Sequence, residues 1–242
     1  MLHKKKLGIL GGMGPEATVL LFNKIIKYTN AKKDQDHIEI IIHNNSGIPD
    51  RTEAILGDGV SPLNEMSRSA QMLERAGADY IIIPCMTAHY FLPELQKNTL
   101  VPIIDAISET TNFVIREYPD LSKIGLIATT GTIKSRLFQN SFKQYGIETI
   151  ILTDTLQYSL VMEAVYGNKG IKAGFLDKNV RSKLSEAILC LTKLGAKAIL
   201  AGCTEIPLAI KQDDLTTPFI DPLTITAKIA IHKCLRNNSG DQ

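Results

Sequence analysis

The chain repeats itself. Leu7-Gly8-Ile9-Leu10 runs into a glycine-rich turn, and Ile124-Gly125-Leu126-Ile127 runs into Thr129-Thr130-Gly131-Thr132, an offset of 125 − 8 = 117. Gly77-Ala78, an apolar run and then Cys85-Met86-Thr87 match Gly195-Ala196, an apolar run and then Cys203-Thr204-Glu205, with 203 − 85 = 118. Val101-Pro102-Ile103-Ile104-Asp105 matches Thr217-Pro218-Phe219-Ile220-Asp221, with 221 − 105 = 116. Three matches in one order at nearly one spacing predict two homologous halves related by a pseudo-two-fold axis, each with a cysteine at an equivalent place.

Short apolar runs at 7–10, 38–42, 80–83, 101–104, 124–128, 149–152, 198–200 and 219–220 alternate with stretches of helical spacing at 17–28, 63–75, 180–194 and 223–235. Strands of this kind between helices predict an α/β fold: two Rossmann-like domains, each a mainly parallel sheet flanked by helices. The expected boundaries are 1–104 for the first half and 105–221 for the second, with the terminal segment 222–242 returning to the first.

Composition removes several function classes. With 27 basic and 25 acidic residues the formal net charge is +2, which gives no electrostatic footprint for nucleic acid or a membrane surface. The apolar run 7–10 after Lys4, Lys5 and Lys6 is too short for the core of a secretory leader, and no later run approaches the ~18 residues of a membrane span. Cysteines at 85, 190, 203 and 234 have neither metal-ligand spacing nor the density of a disulfide framework, so no metal and a reducing cytoplasm are expected. A small molecule is the expected partner.

Ligands bind at the carboxyl edges of parallel strands. Two facing halves would therefore present Cys85 and Cys203 to opposite sides of one bound molecule, an arrangement suited to removing a proton from one face of a carbon and returning one to the other. A thiol does this if backbone N–H groups or cations bring its pKa toward working pH. Thr87 and Thr204 add hydroxyls at the same strand ends. Cys190 and Cys234, inside apolar helical runs, read as packing residues.

Gly11-Gly12-Met13-Gly14-Pro15-Glu16-Ala17-Thr18, Pro84-Cys85-Met86-Thr87-Ala88-His89 and Gly202-Cys203-Thr204-Glu205-Ile206-Pro207-Leu208 together resemble the signature set of the aspartate/glutamate racemase family, across nearly the whole chain. The resemblance implies racemisation of L- and D-aspartate or a close acidic amino acid, without pyridoxal phosphate or any other cofactor. It also implies a site in the cleft between two domains and a homodimer. Cys203 would act on the L-enantiomer and Cys85 on the D-enantiomer. Arg51 resembles the family's loop arginine for the side-chain carboxylate, and Lys172, in Gly170-Ile171-Lys172-Ala173-Gly174, its partner lysine. Met13, Thr130, Gly131 and Thr132 are expected to offer donors to the α-carboxylate from the two glycine-rich turns; Met86, Thr87, Thr204 and Glu205 complete the expected substrate contacts. The family commonly has Asn where Met86 stands, and a thioether is a weak acceptor and no donor, so this departure bears on which amino acid is taken.

Other readings compete. Gly12-Met13-Gly14-Pro15-Glu16-Ala17 satisfies a dinucleotide-binding pattern, but the next strand ends in His43-Asn44-Asn45 rather than the acid a ribose needs. Cys85 and His89 make too few ligands for zinc, and His89 reads as a hydrogen-bonded structural residue. Glutamate or broad-specificity racemisation, maleate isomerisation and hydantoin racemisation remain within the resembled superfamily. An amino-acid-binding protein without catalysis is the alternative of another class.

Overall fold

The computed structural model describes residues 4–235; residues 1–3, at the start of the first expected domain, and 236–242, at the end of the returning segment, lie outside the described residues. The chain runs β1 (Leu7–Gly11), α1 (Pro15–Tyr28), β2 (Ile40–Asn44), α2 (Arg51–Leu56), α3 (Leu63–Arg75), β3 (Tyr80–Ile82), α4 (Leu92–Gln96) and α5 (Ala106–Glu117). The chain continues β4 (Lys123–Ile127), α6 (Thr130–Ser135), α7 (Leu137–Lys143), β5 (Glu148–Ile150), α8 (Asp154–Leu156), α9 (Glu163–Tyr166), α10 (Lys178–Lys193), β6 (Ala198–Ala201), α11 (Ile206–Ala209), β7 (Phe219–Ile220) and α12 (Pro222–Leu235).

Two parallel sheets form, in the orders β2-β1-β3 and β5-β4-β6-β7. They correspond strand for strand once the parallel bridge between Ile81 and Ile103 is set against β7. Even its hydrogen bonds repeat: Ile81 N donates to Pro102 O at 3.0 Å, and Ile199 N to Pro218 O at 2.8 Å. The side-chain bond repeats as well, Ile103 N donating to Gln96 Oε1 at 2.8 Å and Phe219 N to Gln212 Oε1 at 2.7 Å.

Successive residues of a strand point to opposite faces. Leu7 and Ile9 enter one apolar cluster with Leu21 and Ile25 of α1, whereas Leu10 enters another with Met66, Ala70 and Leu73 of α3. Ile124 and Leu126 pack with Phe138 and Phe142 of α7, and Ile127 with Leu184 and Leu191 of α10. Each sheet is thus covered by helices on both sides, the α/β fold expected from the strand runs.

Two helices are exchanged between the halves. Helix α5 follows the first sheet in sequence, yet its Ala106, Ile107 and Val114 pack against Leu126, Ala198 and Leu200 of the second. Helix α12 follows the second sheet, and its Leu223, Ala227, Ala230 and Cys234 pack against Leu7, Ile9 and Ile82 of the first. Asp105 caps α5 by accepting from Ile107 N at 2.9 Å, and Asp221 does the same for Leu223 N at 3.0 Å. The carboxyl edges of both sheets, with their loops, meet across one cleft.

Candidate active site

Cys85 and Cys203, just beyond the carboxyl ends of the equivalent strands β3 and β6, line one cavity between the halves together with Arg51, Lys172, Glu205 and Tyr166. The two thiols are 6% and 4% exposed. The cavity measures about 10 Å³, room for about one water.

Arg51 reaches the cavity because Asp50 caps α2, accepting from Thr52 N and Glu53 N, and so fixes Arg51 as the first helical residue. Its Nη1 donates to Ile48 O at 3.2 Å and Pro49 O at 2.8 Å, and its Nη2 to Met13 O at 3.3 Å; Nε is buried without a partner. Burial works against the guanidinium charge, but the Cys85 sulfur and Asp50 outweigh it and hold the pKa above its ordinary value. A buried cation with an unused donor, beside a sulfur, is an anion site in waiting.

Lys172 stands in a single turn, Ile171–Ala173, with Nζ 3.1 Å from Glu205 Oε1 and 5.2 Å from the centre of the Tyr166 ring. Burial disfavours its charge too, yet Glu205 and then the two sulfurs raise the pKa overall. It carries its proton throughout the neutral range.

Glu205 is 3% exposed and ties the site together. Its Oε2 accepts from Cys203 Sγ at 2.9 Å, and its Oε1 accepts from Lys172 and from Gly14 N at 3.3 Å. Sequence reasoning placed Glu205 among the substrate contacts; in the structure its oxygens are engaged by Cys203 and Lys172. Burial pushes the Cys203 thiol well above its usual range, and the Glu205 carboxylate pushes it further, against a smaller opposite pull from Lys172. The raised pKa favours the thiol form of this sulfur. The repeat makes the asymmetry plain: the position equivalent to Glu205 in the first half is Thr87 (205 − 118 = 87).

The threonines join the halves. Thr87 Oγ1 lies 3.0 Å from Thr129 Oγ1 and 2.8 Å from Thr132 Oγ1, and Thr204 Oγ1 donates to Pro84 O at 3.1 Å. Met13 and Met86 line the cavity, Met86 being 1% exposed and packed into the second half's core. The glycine-rich turn of the second half differs from expectation. Thr130, Gly131 and Thr132 begin α6 and do not line the cavity; Thr129 does. Thr130 N donates to Met162 Sδ at 3.3 Å, and Thr132 N to Thr129 Oγ1 at 3.4 Å. Gly131 is there for close packing, since a Cβ on it would meet Thr52 Oγ1 at 2.6 Å.

Tyr166, absent from the sequence reading, closes the cavity: its hydroxyl donates to Asp50 Oδ2 at 3.0 Å, a bond from the second half to the first. No motif marks a tyrosine at the end of a short helix, whereas Thr129 sits inside the repeat and could have been found from it. His89 shares a bond with Cys85 O through Nδ1 at 2.9 Å, a structural role. Among the described residues no three His, Cys, Asp or Glu are gathered as for a metal, and no helix is long and apolar enough to cross a membrane.

Comparison with known proteins bears on the family and the fold. The chain is 26% identical, over 96% of its length and all of the other's, to the broad specificity amino-acid racemase RacX of Bacillus subtilis. Among solved structures it resembles an aspartate racemase of Picrophilus torridus, at 28% identity and a TM-score of 0.82, covering 95% of this chain and 94% of that one. A Francisella tularensis glutamate racemase in complex with D-glutamate shares the fold, with a TM-score of 0.68 at 19% identity over 99% of this chain and 86% of that one. The family description Asp/Glu/Hydantoin racemase matches residues 10–230. With the repeat, the two sheets and the paired cysteines in one cleft, that match makes the chain a member of the Asp/Glu/Hydantoin racemase family.

Proposed function

We propose that this protein interconverts L- and D-aspartate, or a close acidic amino acid, with Cys85 and Cys203 as opposed acid and base and no cofactor. The observation that carries the reading is that both cysteines line one cavity with two cations, the buried Arg51 and the partly exposed Lys172. A dicarboxylic amino acid has two anionic ends, and charge-assisted bonds to cations are the strongest polar contacts a dry site can give.

The resting protonation state sets the order of events. Cys203 holds its proton, so the productive first partner is the enantiomer whose α-hydrogen faces Cys85. Cys85, beside the Arg51 guanidinium, takes the α-proton as the base; the Cys203 thiol gives its own to the opposite face of the carbon. One proton leaves and one arrives, and the site ends as Cys85 thiol and Cys203 thiolate, the form that accepts the other enantiomer. Electron density released at the α-carbon moves into the α-carboxylate, where donors of the closed cleft stabilise it. Glu205 keeps the Cys203 proton in place between turnovers, and Lys172 balances its charge.

A wider substrate range is a second reading, supported by Met86. A thioether where the family commonly has Asn removes a polar contact and leaves an apolar wall, and the similar RacX is named for broad specificity. Incubation in D₂O with both enantiomers of aspartate, glutamate and several neutral amino acids, followed by chiral chromatography and mass spectrometry, tests both readings. Inversion with deuterium at Cα for the acidic substrates supports the first, and inversion of neutral ones as well supports the second. No deuterium at Cα in any of them overturns both. Cys85→Ala and Cys203→Ala should each lose racemisation while keeping a cooperative thermal transition; full turnover by either rules out the opposed pair.

A further inference from the structure

The three carbonyl groups that hold Arg51 come from two separate loops: Ile48 O and Pro49 O from the loop after β2, and Met13 O from the glycine-rich turn after β1. A guanidinium held between two loops keeps one position only if the loops are fixed relative to each other. Asn45, directly after β2 and outside the cavity, joins the two loops to each other and to helix α3.

The backbone of Asn45 serves both loops. Its N donates to Gly11 O at 3.2 Å, and Gly12, with φ of +98°, lies so close that a Cβ on it would meet the Asn45 carbonyl at 2.3 Å. Its O accepts from Ile48 N at 3.4 Å, next to the carbonyls that hold the guanidinium. The amide side chain is fully engaged as well. Oδ1 accepts from Gly47 N at 3.0 Å, while the two Nδ2 hydrogens go to Glu65 Oε2 at 3.1 Å and Ser69 Oγ at 3.2 Å, neighbours on one face of α3. Ser69 is fully buried and gives its own proton to Glu65 O at 2.8 Å, so it meets Asn45 as an acceptor. Arg68 grips the same oxygen of Glu65. Helix α3 is seated in turn on the first sheet through Met66, Ala70 and Leu73. A continuous set of bonds thus runs from a packed helix, through one asparagine, to the loops around Arg51.

We propose that Asn45 is a positioning residue for Arg51 and, through it, sets the affinity of the site for the anionic side chain of a dicarboxylic substrate. This rests on the reading of Arg51 as the carboxylate-binding cation, but the firmness with which the guanidinium is held can be measured without turnover.

The test uses the full chain carrying Asn45→Ala, Asn45→Asp, or Asn45→Asp together with Glu65→Gln. Phenylglyoxal labelling of Arg51, followed by peptide mass spectrometry, reports how firmly the guanidinium is held; steady-state kinetics with chiral detection reports KM and kcat for aspartate. Asn45→Ala should speed Arg51 labelling several-fold and raise KM about tenfold with kcat little changed. Asn45→Asp keeps an acceptor for Gly47 N but sets a carboxylate against that of Glu65, so it should do at least as much harm. In the double variant donor and acceptor are exchanged, the amide standing at position 65 and the carboxylate at 45, and both readouts should return most of the way to wild type. Arg51 labelled at the wild-type rate in Asn45→Ala, a loss in kcat with KM unmoved, or no recovery in the double variant would overturn the proposal. Should the wild type racemise nothing, the reaction reading fails, and Arg51 labelling with its recovery in the double variant still decides for or against Asn45. Should Asn45→Ala not fold, the comparison of Asn45→Asp with the double variant decides alone.

Discussion

Replacing Glu205 by Gln tests what the buried carboxylate does to Cys203. The change keeps the shape of the side chain and an oxygen for the thiol, and removes one negative charge 2.9 Å from the sulfur. A hydrogen bond to an ionised acceptor contributes about 1.5–3 kcal/mol, and each 1.36 kcal/mol is tenfold in an ionisation equilibrium. Removing it, and leaving Lys172 without its counter-charge, should raise the thiolate fraction of Cys203 by about one to two powers of ten at a fixed pH. A more acidic thiol is also a weaker nucleophile, with a Brønsted slope of about 0.4–0.5, so roughly half of the logarithmic gain returns and alkylation should speed about 3- to 10-fold.

The assay follows iodoacetamide labelling of Cys203 at pH 7.5 by peptide mass spectrometry, with Cys85 in the same molecules as the reference for access to the closed cavity. Kinetics of racemisation alone would not isolate the effect, because an equilibrium constant of one between enantiomers ties kcat/KM together in the two directions. If Cys203 is alkylated at the wild-type rate or more slowly relative to Cys85, Glu205 does not hold the thiol protonated and the assigned resting state is wrong. The sign over pH is fixed as well. In wild type, labelling of Cys203 should still be climbing at pH 9, since a raised pKa keeps the thiol protonated there; in Glu205→Gln the climb should begin lower.

Arg51→Ala removes a buried cation whose Nε has no protein partner, and losing one side of a desolvated charge pair costs about 2–5 kcal/mol. KM for aspartate should therefore rise at least 30-fold while a neutral amino acid changes little, as steady-state kinetics with chiral detection would reveal; equal losses would refute the assignment. Tyr166→Phe breaks the bond to Asp50 that crosses the cleft, so both cysteines should be labelled several-fold faster by iodoacetamide with the thermal midpoint nearly unchanged. Gly131→Ala puts a Cβ 2.6 Å from Thr52 Oγ1 and 2.8 Å from Thr52 Cα. Overpacking of this kind costs about 1–3 kcal/mol, so calorimetry should find a midpoint lower by roughly 2–10 °C. A midpoint equal to wild type would mean the α2–α6 contact is loose.

The architecture was legible because it rests on periodicity. Continuous short apolar runs mark strands buried on both faces, and the spacing 63–75 coincides with helix α3 (Leu63–Arg75). Helices α5, α2 and α6 were not legible. The two short ones are set by caps at Asp50 and Thr129 rather than by an apolar stripe, and α5 carries threonines at buried positions that bond back to its own carbonyls. The sequence located both cysteines and the two cations, because local chemistry and resemblance marked them. It could not locate Tyr166, whose role comes from a contact with Asp50 across the cleft.

The repeat explains the pairing of the cysteines, and its departures explain why the pair can work. Two identical half-sites would give both sulfurs the same proton affinity and no preferred resting form. Here Glu205 faces Cys203 where the first half has Thr87, while Arg51 stands beside Cys85. The carboxylate holds a proton on Cys203, a bias for which the first half has no counterpart. Exchange of that proton through the substrate reverses the asymmetry, and Lys172, within reach of Glu205, limits how far the reversed form lies above the resting one. Removing Lys172 alone should therefore slow the enantiomer that needs the Cys203 thiolate by a larger factor in kcat than the other, with KM shifting in compensation; equal changes in kcat for both enantiomers would refute this role.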